Sequence, residues 1–308
     1  MRVVVIGLGS IAKKHIAALR NLDANTVFFA LRSGMSNNEE PGVNNFYEIN
    51  QINDIDPDFV LISNPTSKRE EVLGKLLTYG KPLFIEKPVL SSLEQSSRFT
   101  SLVAEHNILT YVACNLRFHG CINFVKEYLA EKQLEVNEVN VYCGSYLPEW
   151  RPGADFRLSY SALPELGGGV HLDLIHEIDY TYWMFGKPLG VRRLLRSVSS
   201  LKIKADDYAN YQLLYPGFTA NIVLNYYRRD YKRIIEIVSD EETVSVDIAQ
   251  NEVRSSSGEL LYSSSLGILD TYTKQMKYFT NLLTSKGASN MNSFVEGVDV
   301  LKIVLHEN

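Results

Sequence analysis

Gly7-Leu8-Gly9-Ser10-Ile11-Ala12 is the first stretch whose residue types and spacing could hold a ligand. It has the pattern G-x-G-x-x-A and lies between a β-branched run, Arg2–Ile6, and a stretch of helical spacing over residues 11–22. In that strand-turn-helix setting Gly7 permits a tight turn and Gly9 lets backbone approach a pyrophosphate. Ala12 keeps the helix close to the strand. The helix start around Ser10 and Ile11 presents unpaired N–H groups to the anion. The chemistry is dinucleotide binding, and a ligand-free glycine turn is the plainer alternative. A second strand over residues 26–31 ends in Leu31-Arg32-Ser33, without the Asp or Glu that closes on ribose hydroxyls in NAD-binding folds. Arginine followed by serine suits a 2′-phosphate, so Arg32 and Ser33 favour NADP(H) over NAD(H).

Residues 146–160 bring together Trp150, Arg151, Arg157 and Tyr160. Two arginines can grip a carboxylate or phosphate bidentately, and the rings can stack on a sugar or base face. A packed surface loop with salt bridges is the alternative use of the same residues.

Positioning these groups needs a regular frame. Strand-like runs at 2–6, 26–31, 59–63, 82–85 and 108–113 alternate with helical stretches at 11–22, around Val72-Leu73 and Leu76-Leu77, and at 91–105. The last is opened by a Ser91-x-x-Glu94 capping box. This alternation predicts an α/β, doubly wound parallel sheet. After Asn115 the pattern changes. A helix at 122–129 leads to a strand at 136–144, and a glycine triplet opens a helix at 170–185. Strands follow at 191–200, 208–214, 219–227, 234–239 and 244–248, then helices at 270–284 and 293–305. That half predicts an α+β domain with a mainly antiparallel sheet. At 308 residues the chain suits two domains, 1–117 and 118–308.

Composition narrows the partners. A net charge of −5 and scattered basic residues give no footprint for nucleic acid. The densest basic patch, Arg228-Arg229 with Lys232-Arg233, is offset by Asp230 and reads as a solvated strand end. No apolar run reaches the roughly 18 residues of a membrane span. The N-terminal run is too short for a signal peptide, so a cytoplasmic place is expected. Cys114, Cys121 and Cys143 lack zinc-site spacing and read as buried free thiols, with no metal expected.

Glu86-Lys87-Pro88 and Gly167-Gly168-Gly169-Val170-His171-Leu172-Asp173-Leu174-Ile175-His176-Glu177-Ile178-Asp179, in this order after the glycine motif, carry a family resemblance. The chain resembles the glucose-fructose oxidoreductase / inositol dehydrogenase (Gfo/Idh/MocA) family over essentially its whole length. Asn115-Leu116-Arg117-Phe118 is similar to that family's domain junction. The resemblance implies a Rossmann domain followed by an open-faced sheet used for homodimers or homotetramers, and hydride transfer at a sugar or polyol carbon. It implies that Lys87 sits between nicotinamide and substrate, that His176 is the acid/base, and that Asp173 is the neighbouring substrate ligand. Asn64, Pro65 and Glu86 join the expected cofactor contacts, and Arg117 the expected substrate contacts. Residues 146–160 are similar to the loop that covers the substrate in relatives.

Those residue types fit the chemistry. Histidine titrates near neutrality and suits the proton, while lysine stabilises developing negative charge on oxygen. Many relatives have Asp-x-x-x-His, whereas this chain has Asp173-x-x-His176; an i,i+3 spacing on one helix keeps both on one face. His171, Asp179, Tyr272 and Tyr278 read as packing or pairing residues. The arginines tilt the expected substrate towards an anionic or nucleotide sugar, by analogy one of surface-polysaccharide synthesis. The alternatives are a cofactor-retaining lyase, hydrolase or epimerase, and a non-catalytic NAD(P)-binding sensor.

Overall fold

The computed structural model describes residues 1–32, 34, 40–285 and 289–306. Its elements begin with β1 Arg2–Ile6, α1 Ser10–Leu22, β2 Val27–Leu31, β3 Val43–Phe46, α2 Ile52–Ile55, β4 Phe59–Ile62, α3 Arg69–Leu76, β5 Leu83–Glu86, α4 Ser96–Glu105 and β6 Thr110–Ala113. They continue with α5 Gly120–Lys132, β7 Val136–Tyr146, α6 Val170–Asp173, α7 His176–Phe185, β8 Gly190–Arg196, β9 Tyr208–Leu214 and β10 Thr219–Asn225. The chain ends with β11 Tyr227–Ser239, β12 Thr243–Asp247, β13 Glu252–Ser255, β14 Leu260–Ser263, α8 Ile268–Thr284 and α9 Phe294–Leu305. Two compact units result, Met1–Asn115 with Leu269–Leu301, and Leu116–Ile268 with Lys302–Asn308.

The first unit holds a parallel six-stranded sheet in the order β3-β2-β1-β4-β5-β6. Its central strands are continuous apolar runs, as strands buried on both faces must be: Val3, Val4, Val5 and all four residues of β4 are 0% exposed. Edge strand β6 is covered by the chain's own later segment. Val112 N–H donates to Asn292 O at 2.8 Å, and Asn292 Nδ2 returns a bond to Val112 O at 2.9 Å. Phe279 of α8 packs edge-on against Phe59 and Phe84, with ring centres 5.0 and 5.2 Å apart. These contacts group residues 269–301 with the first unit, although a simple division at residue 117 would have left them in the second. Strand β3 and helix α2 are additional to the runs read from the sequence, lying between those at 26–31 and 59–63.

The second unit holds an eight-stranded sheet in the order β14-β13-β12-β11-β7-β10-β9-β8, antiparallel except where β7 runs parallel to β10. Burial alternates along β9 and β10, so Ala209, Tyr211, Leu213, Ala220, Ile222 and Leu224 line one packed face. The other face is polar and partly open. Gln212, Asn221, Asn140 and Glu236 join hands across four strands at 3.5, 3.2 and 3.4 Å.

Four local expectations need correction. Helix α4 starts at Ser96 rather than 91, and no capping box forms, because the Ser91 hydroxyl donates to Glu70 Oε1 at 2.9 Å. The helix expected over 170–185 is two helices, with Leu174 and Ile175 in a turn between them. Strand β8 stops at Arg196, and the buried Asp207 carboxylate accepts the backbone N–H groups of Val198 and Ser199 just beyond it. Arg233 is not solvated; it is 8% exposed and bonds Glu177 Oε1 at 2.5 Å. The three cysteines are buried and in no disulfide, as expected.

Candidate functional site

In the first unit the candidate cofactor residues emerge at the carboxyl ends of neighbouring strands. Ile6 of β1 lies in register with Ile62 of β4, and Ile62 with Ile85 of β5. Gly7, Asn64 and the Glu86-Lys87 pair therefore leave the sheet side by side at the edge where α/β folds bind ligands. Gly7 has φ +86°, and an added Cβ would sit 2.6 Å from Asn64 Cα, so only glycine fits there. Ser63 Oγ ties the two turns by donating to Gly7 O at 2.7 Å. Gly9 caps α1 in extended backbone with no side chain to fill the helix end, and an added Cβ there would meet open space. Ala12 is fully buried, while Ser10 is exposed and Ile11 half-buried.

Asn64 Nδ2 donates to Lys68 O at 3.0 Å, and its Oδ1 is buried with no partner among the described residues. Pro65 is exposed beside it. Glu86 is 7% exposed. His15 Nε2 lies 2.5 Å from Glu86 Oε1, and Lys87 N–H donates to Glu86 Oε2 at 3.2 Å. Burial would raise the Glu86 carboxyl, but the His15 hydrogen bond and the charges of His15, Lys87 and Arg69 hold it below the usual carboxylate range. Lys87 is half-buried and precedes a cis peptide bond to Pro88. Arg32 is half-buried at the end of β2, where its N–H donates to Phe46 O at 2.9 Å. Ser33 lies outside the described residues. This set fits a dinucleotide: a glycine turn that backbone can approach, an open helix start, and an orphaned buried acceptor.

In the second unit Asp173 ends α6 and His176 opens α7, both half-buried. Their relation comes from the intervening turn, not from i,i+3 spacing on one helix. Tyr226 Oη donates to Asp173 Oδ2 at 2.5 Å. Helix α7 is anchored beneath His176 by two buried ion pairs. Glu177 is 0% exposed against Arg233, and Asp179 is 1% exposed against Arg117. Arg117 Nε and Nη2 donate to the two Asp179 oxygens at 2.9 and 2.7 Å. The guanidinium expected to bind substrate is thus committed to a buried fork, with Trp183 beneath it at 5.8 Å. Asp179 pairs with this arginine rather than within its own helix.

The 147–161 stretch encloses a cavity of about 300 Å³ whose lining includes Leu147, Trp150, Phe156 and Leu158 and two charged residues of opposite sign, Arg151 and Asp155. Trp150 meets Tyr226 edge-on at 5.4 Å, and its indole N–H donates to Ser145 Oγ at 3.1 Å. Arg151 is therefore on the cavity wall. Arg157 is exposed, stacks on Phe156 at 4.6 Å and approaches Asp155 at 3.7 Å; neither it nor the half-buried Tyr160 lines the cavity. His171 is buried against Asp206 at 4.0 Å. Burial, then the Arg193 charge, pushes His171 down to about 4, so it is neutral and that approach is not an ion pair. Tyr272 packs on His15 and Lys14, and Tyr278 donates to Ser289 O at 2.7 Å. Tyr226, Arg69, His15 and the Glu177–Arg233 pair carry no local sequence signal, because their partners lie tens of residues away. Among the described residues no His, Cys, Asp or Glu cluster could hold a metal, and no helix is long and apolar enough to cross a membrane.

Comparison with known proteins bears on both units. Residues 1–114 match the oxidoreductase family with an NAD-binding Rossmann fold, and residues 123–245 match the GFO/IDH/MocA C-terminal domain. The uncharacterized oxidoreductase YhhX of Escherichia coli is 27% identical over 60% of this chain and 51% of its own length. The scyllo-inositol 2-dehydrogenase (NAD(+)) of Bacillus subtilis is 28% identical over 42% of this chain and 35% of its own. The match thus spans about half or less of these curated relatives. The structure of UDP-N-acetylglucosamine 3-dehydrogenase GnnA from Acidithiobacillus ferrooxidans superposes with a TM-score of 0.79 at 20% identity, over 99% of this chain and 96% of that one. That likeness is one of fold. With both of its parts matched, the chain belongs to the GFO/IDH/MocA family of NAD-binding oxidoreductases.

Proposed function

We propose that this protein is a nicotinamide-dependent dehydrogenase, favouring NADP(H), that interconverts a hydroxyl and a keto carbon of a sugar derivative bearing negative charge. The observation that carries the reading is the row of Gly7, Asn64 and Glu86-Lys87 on three adjacent strand ends, with an open helix start beside it. Gly7, Gly9, Asn64 and Glu86 would hold the dinucleotide, and Arg32 its 2′-phosphate. When bound, the cofactor supplies two-electron hydride exchange. His176 takes the proton from the substrate hydroxyl, a task suited to an imidazole near neutrality. Lys87 stabilises negative charge as it develops on that oxygen. Asp173, oriented by Tyr226, hydrogen-bonds the substrate. Arg151 on the cavity wall supports an anionic substrate. The scyllo-inositol and UDP-sugar names of the relatives above support the sugar class. The polar outer face of the second unit's sheet is the surface we assign to a homodimer or homotetramer.

The test is reduced-nicotinamide absorbance, with NADP or NAD and a panel of sugars, sugar acids and nucleotide sugars. Lys87→Ala and His176→Ala run beside the wild type. Turnover of one class, lost in both variants, is expected. Turnover that survives in both would move the chemistry to other residues. Cofactor binding without net reduction would point instead to a cofactor-retaining enzyme or a sensor.

A further inference from the structure

Arg69 opens α3 but is only 2% exposed. Its Nη1 donates to Glu86 O at 2.5 Å and also to Pro88 O, and its Nη2 donates to Asn64 O at 3.0 Å. Those carbonyls belong to two separate segments, the turn after β4 and the turn after β5. One planar fork therefore fastens both. The placement runs against local preference. A cation at a helix N-terminus opposes the helix dipole, and burying a guanidinium is costly unless its charge is met by acceptors. Such conflicts between a residue and its local setting concentrate at functional sites.

The strand order says which part of a dinucleotide these turns face. Strand β2, whose end carries Arg32, lies on one side of β1, and β4 and β5 lie on the other. A dinucleotide bound across that switch point places its adenosine half towards β2 and its nicotinamide half towards β4 and β5. Asn64 Oδ1, buried without a partner among the described residues, is an acceptor on that second side.

We propose that Arg69 is a positioning residue that locks the Asn64 and Glu86-Lys87-Pro88 turns together and thereby shapes the nicotinamide half of the cofactor site. This rests on the nicotinamide-dependent reading given above. Lysine cannot reproduce the fork, since its single nitrogen cannot hold both turns in one plane. Glutamine keeps a donor but loses the charge and the reach.

The experiment compares two probes by calorimetry on wild type, Arg69→Gln and Arg69→Lys: whichever of NADP and NAD the wild type binds better, and the matching ADP-ribose fragment, which lacks only nicotinamide. Both variants should lose about tenfold in dinucleotide affinity, roughly the worth of one charged hydrogen bond, while fragment affinity stays within about threefold. Equal weakening of both probes, or an unchanged dinucleotide Kd, would overturn the positioning role and leave the dehydrogenase reading intact. Failure of both variants to fold would make Arg69 a folding residue and overturn it as well. Wild type that binds neither probe would overturn the nicotinamide reading and this proposal together.

Discussion

Tyr226 Oη donates a hydrogen bond to Asp173 Oδ2 at 2.5 Å while the same ring supports Trp150 edge-on at 5.4 Å. Burial, then the Asp173 charge, raises the phenol well above its usual range, so it remains a donor at all working pH. The orientation of Asp173 is thereby tied to the wall of the 147–161 cavity. Tyr226→Phe keeps the packing and removes one charge-assisted hydrogen bond, worth about 1.5–3 kcal/mol. We expect kcat to fall about tenfold or more, with nucleotide KM unchanged. Steady-state kinetics on the substrate class found by the panel would check this. An unaltered kcat would mean that Asp173 orientation does not matter to the reaction.

Arg117 and Asp179 make a different prediction, about the fold under the site. Both are at most 1% exposed, and their fork holds α7, which begins at His176. Removing one partner strands a buried charge. Asp179→Ala or Arg117→Ala should cost about 3–5 kcal/mol, while Arg117→Met with Asp179→Leu should recover much of it. Denaturant unfolding of the second unit measures both. Strict additivity of the two single losses in the double variant would contradict a direct pair.

Much of this architecture is legible in the residues, and what is not follows from distance along the chain. Buried runs such as Val3-Val4-Val5 and the alternation of β9 announce their sheets because burial on two faces or one leaves a period in the sequence. Gly7 announces itself because its φ of +86° excludes other residues. The capping box at Ser91 misled because Glu70, 21 residues earlier, competes for the same hydroxyl. Arg117 misled because its partner is 62 residues away, and a buried arginine and a substrate-binding one are the same letter. The Asp173–His176 spacing could not reveal the turn at Leu174 and Ile175, since both residues are ordinary helix formers.

His171 gives the chain a pH dependence. Burial, then the Arg193 charge, lowers it from 6.5 to about 4, with Asp206 the facing carboxylate at 4.0 Å. The unfolded state takes up a proton near pH 6.5 and the folded state does not, so this contribution is full above that pH. It is lost as pH falls from about 6.5 towards 4, at a cost on the order of 3 kcal/mol. His171→Gln should flatten stability across that window relative to wild type. Parallel stability curves for the two proteins between pH 4 and 6.5 would refute the assignment to His171.

On the reading proposed above, Arg32 decides the choice between NADP and NAD. Its backbone is fastened to β3 through Phe46 O at 2.9 Å, so the end of β2 is fixed whatever side chain it carries. Replacing that side chain therefore changes the charge offered to the ribose with little change in the frame. A guanidinium favours a 2′-phosphate, and a carboxylate in the same place favours the free 2′-hydroxyl and repels the phosphate. Arg32→Ala should weaken NADP about tenfold and leave NAD within about threefold, the worth of one charged contact. Arg32→Asp should go further and make NAD the tighter ligand. The ratio of the two dissociation constants is the measurement, because a general loss of structure would lower both affinities and leave the ratio alone. A ratio that Arg32→Asp does not move would take nucleotide selectivity away from this strand end.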